Sequence, residues 1–247
     1  MRTVKSIISM LLVLALLTAC LASCDIIGKD PDKLVAEAEE ALKDKTYTID
    51  LVIKYSSEQE SMKDAIDEFT SPKIKTEVNG DAFRIAMSFE KDGIDNGVTY
   101  TYVDGRLYTE LSDTGVSTNT VTELDEADRL ELTETLGAGA AIGIDDFSDV
   151  SAKSLGGVSV ITCTEIKDEA LDVLVKDLEE RLDALDAFVA IKNVTLAIQI
   201  TDGLYELTLL TCEYNVMIGE EVYTLTMTYA SKFTYCDVEE ITAPDFN

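Results

Sequence analysis

Cysteine is the residue type whose positions in this chain point most directly to chemistry. Cys20 and Cys24 each follow one apolar and two small residues, and both come after an apolar run over residues 7–17. Arg2 and Lys5 precede that run, which gives the pattern of a secretory signal that is removed from the mature chain. The run is shorter than the about 20 residues that a transmembrane helix needs. The sequence therefore predicts an exported protein.

The two cysteine segments resemble the signal of bacterial lipoproteins; they are Leu17-Thr18-Ala19-Cys20 and Leu21-Ala22-Ser23-Cys24. The resemblance implies that the thiol receives a diacylglycerol and that the signal is cut just before it. We favour Cys24 because the residues behind it soon turn polar, with Cys20 as the alternative and an ordinary cleaved signal as a third interpretation. The predicted divisions are a signal over 1–23, a tether over 24–30 and one domain over 31–247. The resemblance places the protein on the extracytoplasmic face of the membrane, in a Gram-positive host.

The other three cysteines, Cys163, Cys212 and Cys236, lie in apolar or aromatic stretches. The closest two are 24 positions apart, so they form no CxxC motif for a metal or a redox pair. We expect them to be small buried hydrophobic residues. One disulfide with one unpaired thiol is the alternative.

Charge and composition exclude several functions. The net charge is −28, and removing Arg2 and Lys5 with the signal makes it −30, which argues against nucleic acid and anionic lipid headgroups as partners. The chain has no histidine, so no histidine base or histidine-ligated metal is available. We therefore expect no enzyme activity, no cofactor and no metal. The acidic loops over 92–97 and 145–149 lack EF-hand spacing and are predicted to be solvated turns.

Periodicity predicts both helices and strands. Helical spacing is found over 31–42, where Asp30 is placed to cap the helix, and over 58–69, 122–136 and 168–185. About ten segments alternate apolar and polar residues, and several are joined by hairpin turns such as Asn79-Gly80 and Asp104-Gly105. Such short links require antiparallel pairing. We therefore predict an α+β fold: a strongly curved antiparallel sheet of about ten strands, a half-barrel, with three or four helices packed on its concave face.

The order of these elements resembles lipoproteins of the LolA and LppX/LprG type, and Gram-positive surface lipoproteins of that shape. A helix over 31–42 precedes a long amphipathic strand from Tyr47, a tyrosine-rich hairpin over 99–108, a helix over 170–185 and a meander that ends in Ile241-Thr242-Ala243-Pro244. The resemblance implies a non-catalytic protein that binds or carries a lipid or acyl chain between sheet and helices.

The candidate ligand-binding residues are aromatic side chains and methionines on the predicted apolar strand faces. They are Tyr47, Phe83, Met87, Phe89, Tyr100, Tyr102, Tyr223, Met227 and Tyr229. The small, apolar run over 136–144 is a candidate flap above such a pocket, or a plain connection. The same aromatic residues could instead fill a solid core. The alternative function is then a structural or protein-interaction module that presents its acidic surface to an envelope protein.

Overall fold

The computed structural model describes residues 29–59, 72–91, 94–113, 116–125, 142–182 and 187–246. The signal, both candidate lipidation cysteines and most of the tether lie outside these residues. The described chain forms two α-helices and one eleven-stranded antiparallel sheet. The helices are α1 (Pro31–Leu42) and α2 (Asp168–Leu182). The strands are β1 (Thr46–Ser56), β2 (Lys73–Asn79), β3 (Ala82–Lys91), β4 (Ile94–Val103), β5 (Arg106–Asp113), β6 (Val116–Glu123), β7 (Phe147–Leu155), β8 (Val158–Ile166), β9 (Ala187–Thr201), β10 (Leu204–Ile218) and β11 (Glu221–Tyr235).

The sheet consists of two meanders that meet at its centre. Its strand order is β6-β5-β4-β3-β2-β1-β11-β10-β9-β8-β7, so the first and last strands pair with each other. Both predicted hairpins form, but the first turn is Gly80-Asp81, one residue later than predicted, because Asn79 still pairs with Ala82; Gly80 has a φ of 60°. The second turn is Asp104-Gly105 as predicted, with φ values of 53° and 79°. Positive φ at both central residues defines a type I′ turn, whose twist matches that of paired strands.

One side of the sheet, which we name the apolar face, carries the main core. A row of paired, buried or half-buried residues crosses five strands of it: Ile53, Tyr229, Leu210, Leu196 and Cys163. Because side chains alternate along each strand, the intervening residues point to the opposite side, which we name the outer face. The predicted one-sided alternation is confirmed, although a small second cluster around Val160 and Leu207 lies on the outer face.

Both helices pack against the apolar face. Leu34 and Ala38 of α1, one helical turn apart, and Leu174 and Leu178 of α2 are buried in the main core. Asp30 caps α1 as predicted: its Oδ1 accepts hydrogen bonds from the backbone N–H groups of Asp32 (3.1 Å) and Lys33 (3.4 Å). Helix α2 begins at Asp168, the first residue of the helix predicted over 168–185.

Replacing Asp30 should destabilise the first turn of α1. We expect Asp30→Ala to cost about 0.5–2 kcal/mol of helix stability, because two N-terminal amides lose their acceptor. Hydrogen exchange of the α1 amides measures this effect. Asp44→Ala, which removes the same charge just beyond the other end of the helix, is the matched control. Equal exchange in the two variants would show that the cap does not hold the helix.

The predicted half-barrel with three or four helices is wrong. The sheet is open, since β6 and β7 each pair with one neighbour in the described chain, and two helices accompany it there. Residues 116–123, which include the start of the predicted helix over 122–136, form strand β6 along β5. The threonines and valines of this segment favour an extended chain. The acidic, leucine-containing segment that follows it favours a helix, and the prediction extended that helix back into the strand. The rest of this predicted helix and residues 60–69 of the helix predicted over 58–69 lie outside the described residues.

The expectation of three buried cysteines is right for two of them. Cys163 and Cys212 are buried in the main core, and burial raises the pKa of the Cys163 thiol to about 11. Cys236 is exposed because the chain leaves the sheet after Tyr235. None of the three is in a disulfide.

The C-terminal tail, residues 236–246, crosses the outer face of the first meander. The Thr46 hydroxyl donates to the carbonyl oxygen of Cys236 (2.7 Å), and the Asn79 amide donates to that of Val238 (3.0 Å). The Phe246 ring lies edge-on against Tyr108. The tail therefore ties β1, β2 and β5 together from outside the core.

Candidate functional site

A cavity of about 450 Å³ lies between α1, the loop before β7 and the apolar face of β9–β11. Its floor is apolar and aromatic, formed by Leu196, Ile198, Tyr205, Leu210, Tyr229 and Phe233. The register explains this composition, because these residues occupy the core-facing positions of three paired strands. A cavity with apolar walls and a few polar groups is the usual form of a small-molecule site.

Small side chains leave this space open. Leu34 and Ala38 bind α1 to the sheet, and the adjacent side of the helix presents Val35 and Ala36 to the cavity. On the strands, Thr208 and Ser231 interrupt the larger floor residues. No bulky side chain from α1 therefore fills the gap above the floor at these positions.

The third wall is the described end of the predicted flap. Ile142, Gly143 and Ile144 line the cavity, whereas 136–141 lie outside the described residues. A short 3₁₀ turn (Ile144–Asp146) follows, and the Gly143 N–H donates to Asp146 Oδ2 (2.7 Å). The Lys167 N–H also donates to the Asp146 carbonyl oxygen (2.8 Å), which fixes this wall to the start of α2.

Tyrosines define the electrostatics of the floor. Burial raises the pKa of Tyr205 well above its usual range, the nearby Glu39 charge raises it further, and Tyr235 adds to this once its own phenol ionises. Burial likewise raises the pKa of Tyr235 to about 12. The Tyr235 hydroxyl donates to the Tyr205 carbonyl oxygen (2.6 Å), and the Tyr205 ring stacks on Phe233 with centroids 5.4 Å apart. This end of the cavity is therefore held by neutral, packed phenols.

Alkaline pH should destabilise the fold through these phenols. A pKa raised by folding stabilises the folded state below the unfolded value of about 10, and that contribution is lost as pH rises through about 10 to 12. We expect the unfolding free energy to fall across this interval, and to fall less in Tyr235→Phe, which cannot ionise. Urea titrations at several pH values, with tyrosinate absorbance followed in parallel, measure both quantities. An unchanged fall in Tyr235→Phe would contradict this assignment.

The nine predicted ligand-binding residues lie on the apolar face, but only Tyr229 lines the cavity. Phe83 and Tyr102 are buried and stack at 5.3 Å, and Met227 is fully buried, so these three fill the core. Tyr47 packs against Phe233 and Tyr235 beside the cavity. Met87, Tyr100 and Tyr223 are half-buried against the core, and Phe89 is 39% exposed.

Sequence reasoning missed the residues that make the space. Phe233 belongs to the alternating pattern and could have been included. Tyr205 reaches the apolar face only because a β-bulge between Tyr205 and Leu207 shifts the phase of β10, which alternation alone does not predict. Ala36, Thr208 and Ser231 carry no signal, because a small residue forms a gap only when its neighbours in three dimensions do not fill it. The contribution of α1 depends on where the helix docks on the sheet.

A second pocket, of about 410 Å³, lies under the C-terminal tail on the outer face. Both of its cations pair with one acid: Lys75 Nζ and Arg84 Nη1 lie 2.7 Å and 3.4 Å from Glu77 carboxylate oxygens, while Asp237, Glu239 and Glu240 of the tail add further carboxylates. The hydrogen bond from Lys75 lowers the pKa of Glu77. This pocket is therefore a polar, predominantly acidic junction between tail and sheet.

The described residues contain no group of three or more His, Cys, Asp or Glu side chains placed to hold a metal ion. Over the same ranges, neither helix is both long enough and apolar enough to span a membrane.

Fold and cavity together define a class: an open antiparallel sheet with a pocket between its apolar face and an N-terminal helix. No protein-family model matches the chain, and no curated protein matches it.

Two solved structures are similar at low scores. The ywiB protein from Bacillus subtilis has 9% identity and a TM-score of 0.19, and the match covers 76% of this chain and 91% of that one. MucB, in complex with MucA(peri), has 8% identity and a TM-score of 0.11, with 83% and 94% covered. Scores this low carry no argument about fold or function, and the resemblance to LolA-type lipoproteins stays a prediction.

Proposed function

We propose that this protein is a non-catalytic, lipid-anchored envelope lipoprotein that holds a hydrophobic ligand between α1 and the apolar face. The observation that supports the proposal is the 450 Å³ cavity with its floor of aliphatic and aromatic side chains. Each ligand methylene buried there would contribute about 0.8 kcal/mol. A lipid or an acyl chain would therefore bind with useful affinity through its apolar part alone.

A cavity-filling variant tests this proposal. Ala36 is exposed on α1 and lines the cavity, so Ala36→Trp should occupy ligand space while leaving the core intact. Ala190→Trp makes the same substitution at an exposed position of β9 and is the matched control. Native mass spectrometry of the full chain extracted from its own host should detect a co-purifying ligand in the wild type and Ala190→Trp, and its loss in Ala36→Trp. A wild-type protein without any ligand, or equal occupancy in both variants, would contradict the proposal.

The lipid anchor is tested separately. We expect Cys24→Ala to abolish incorporation of radiolabelled palmitate and release the protein from the membrane, whereas Cys20→Ala should keep both. The opposite result would move the modified cysteine to Cys20. Labelling that survives in the double variant Cys20→Ala/Cys24→Ala would rule out the anchor at this site.

A row of exposed apolar residues on the outer face favours a second candidate function, protein interaction. Met217 pairs with Phe188 on one side and with Val222 on the other, and the three are 42%, 61% and 57% exposed. Crosslinking in cells should capture an envelope protein through this row. Phe188→Ser should abolish the capture, and Phe89→Ser, on the apolar face, should not.

A further inference from the structure

The mouth of the cavity is acidic. Asp32 and Glu39 of α1 and Asp145 of the opposite wall line it, and no lysine or arginine is among its described lining residues. Thr208 and Ser231 add hydroxyl groups on the strand side. The cavity therefore combines an apolar floor with carboxylates from two separate walls.

Within the described part of the chain these carboxylates form no salt bridge of 4.0 Å or less, although Lys43 and Lys167 lie near two of them. Lys33 of α1 pairs with Glu37 at 3.6 Å, and Lys43 pairs with Glu40 at 2.5 Å, with a smaller contribution from the Glu39 charge to the raised pKa of Lys43. The Lys167 ammonium donates to the carbonyl oxygen of Asp145, which leaves the carboxylate of that residue available. Within the described ranges, neither Glu39 nor Asp145 has a basic side chain within 4.0 Å.

The Glu39 charge acts on the floor of the cavity, since it contributes to the raised pKa of Tyr205 there. An anionic head group at this position would meet like charges from both walls. A cationic head group would meet opposite charges, which favours its binding over that of an anionic one.

We infer that the ligand is a cationic amphiphile, with its apolar body on the floor and an ammonium-type head between Glu39 and Asp145. This inference rests on the proposed function, because it assigns the head group of the same ligand. It excludes a fatty-acid carboxylate as the preferred ligand. The chemistry requires one apolar chain and one positive charge.

Three probes with the same octyl chain distinguish a failure of this inference from a failure of the proposed function. Equilibrium dialysis compares octyltrimethylammonium, octanol and octanesulfonate on the full chain held in neutral phosphatidylcholine vesicles, with protein-free vesicles as the blank. We expect the cationic probe to bind at least about tenfold more tightly than the anionic one. Equal binding of all three would overturn this inference and keep the proposed function. Absence of binding by all three would count against the proposed function itself.

A charge-matched pair of variants separates the cavity from the overall acidity of the chain. Glu39→Gln/Asp145→Asn removes two carboxylates from the mouth and should reduce the preference for the cationic probe to about threefold or less. Asp172→Asn/Glu179→Gln removes two exposed carboxylates from α2 and should keep it. Octanol binding should be unchanged in both variants. An equal loss of preference in both would assign it to net charge and overturn the inference.

Discussion

Leu178→Ala should destabilise the domain by about 2–5 kcal/mol, a large share of the 5–15 kcal/mol typical of a folded domain. Leu178 is fully buried and belongs, with Leu174, to the core between α2 and the sheet. Truncation removes its transfer free energy and leaves a void that rigid strands cannot close. Helix propensity does not explain the effect, because alanine is at least as favourable as leucine in a helix.

Urea denaturation followed by circular dichroism measures this loss. Leu155→Ala is the matched control, since Leu155 is 54% exposed at the end of β7 and the same atoms are removed from a solvated position. We expect the control to change the unfolding free energy by less than about 0.5 kcal/mol. A similar loss in both variants would mean that α2 does not contribute to the cooperative core.

Much of the sheet could be predicted from residue patterns alone. In β1, for example, alternation identifies Ile49, Leu51 and Ile53 as core residues, and all three are buried. The pairing of Tyr102 with Leu107 also follows from the two turn residues between them. These features are local, because side-chain period and turn type determine them within a few residues.

Features that depend on distant contacts could not be predicted in this way. The phase of alternation in β9 shifts where Lys192 is an extra residue in the ladder, so Val189 and Ile191 share the apolar face with Val194. Strand β6 has no apolar face of its own and follows from pairing with β5. The cavity depends on how α1 docks, which explains why a list of large aromatic residues gave one lining residue, Tyr229.

Gly97→Ala should be more destabilising than substitution at the turn glycines. A Cβ atom added to Gly97 would lie 2.5 Å from the carbonyl oxygen of Met87 on β3. That atom belongs to the backbone of the neighbouring strand, so no side-chain rotation can relieve the clash. Separating β3 from β4 would weaken the ladder between them and displace Met87 from the apolar face. We expect a cost of about 1–3 kcal/mol or more.

Substitutions at two other glycines distinguish the steric clash at Gly97 from backbone strain. Among the described residues, a Cβ atom added at Gly143 meets no atom within 4 Å, and the backbone conformation there is ordinary, so Gly143→Ala should be neutral or slightly stabilising, by up to about 1 kcal/mol. Gly80→Ala also meets no atom but has a φ of 60°, so it should cost about 1–2 kcal/mol from backbone strain alone. Urea denaturation of the three variants ranks these effects, and hydrogen exchange should show the loss of protection concentrated in β3 and β4 for Gly97→Ala. If Gly97→Ala cost no more unfolding free energy than Gly143→Ala, β3 and β4 would have to lie further apart at the pair of Ser88 and Gly97 than they do in this structure.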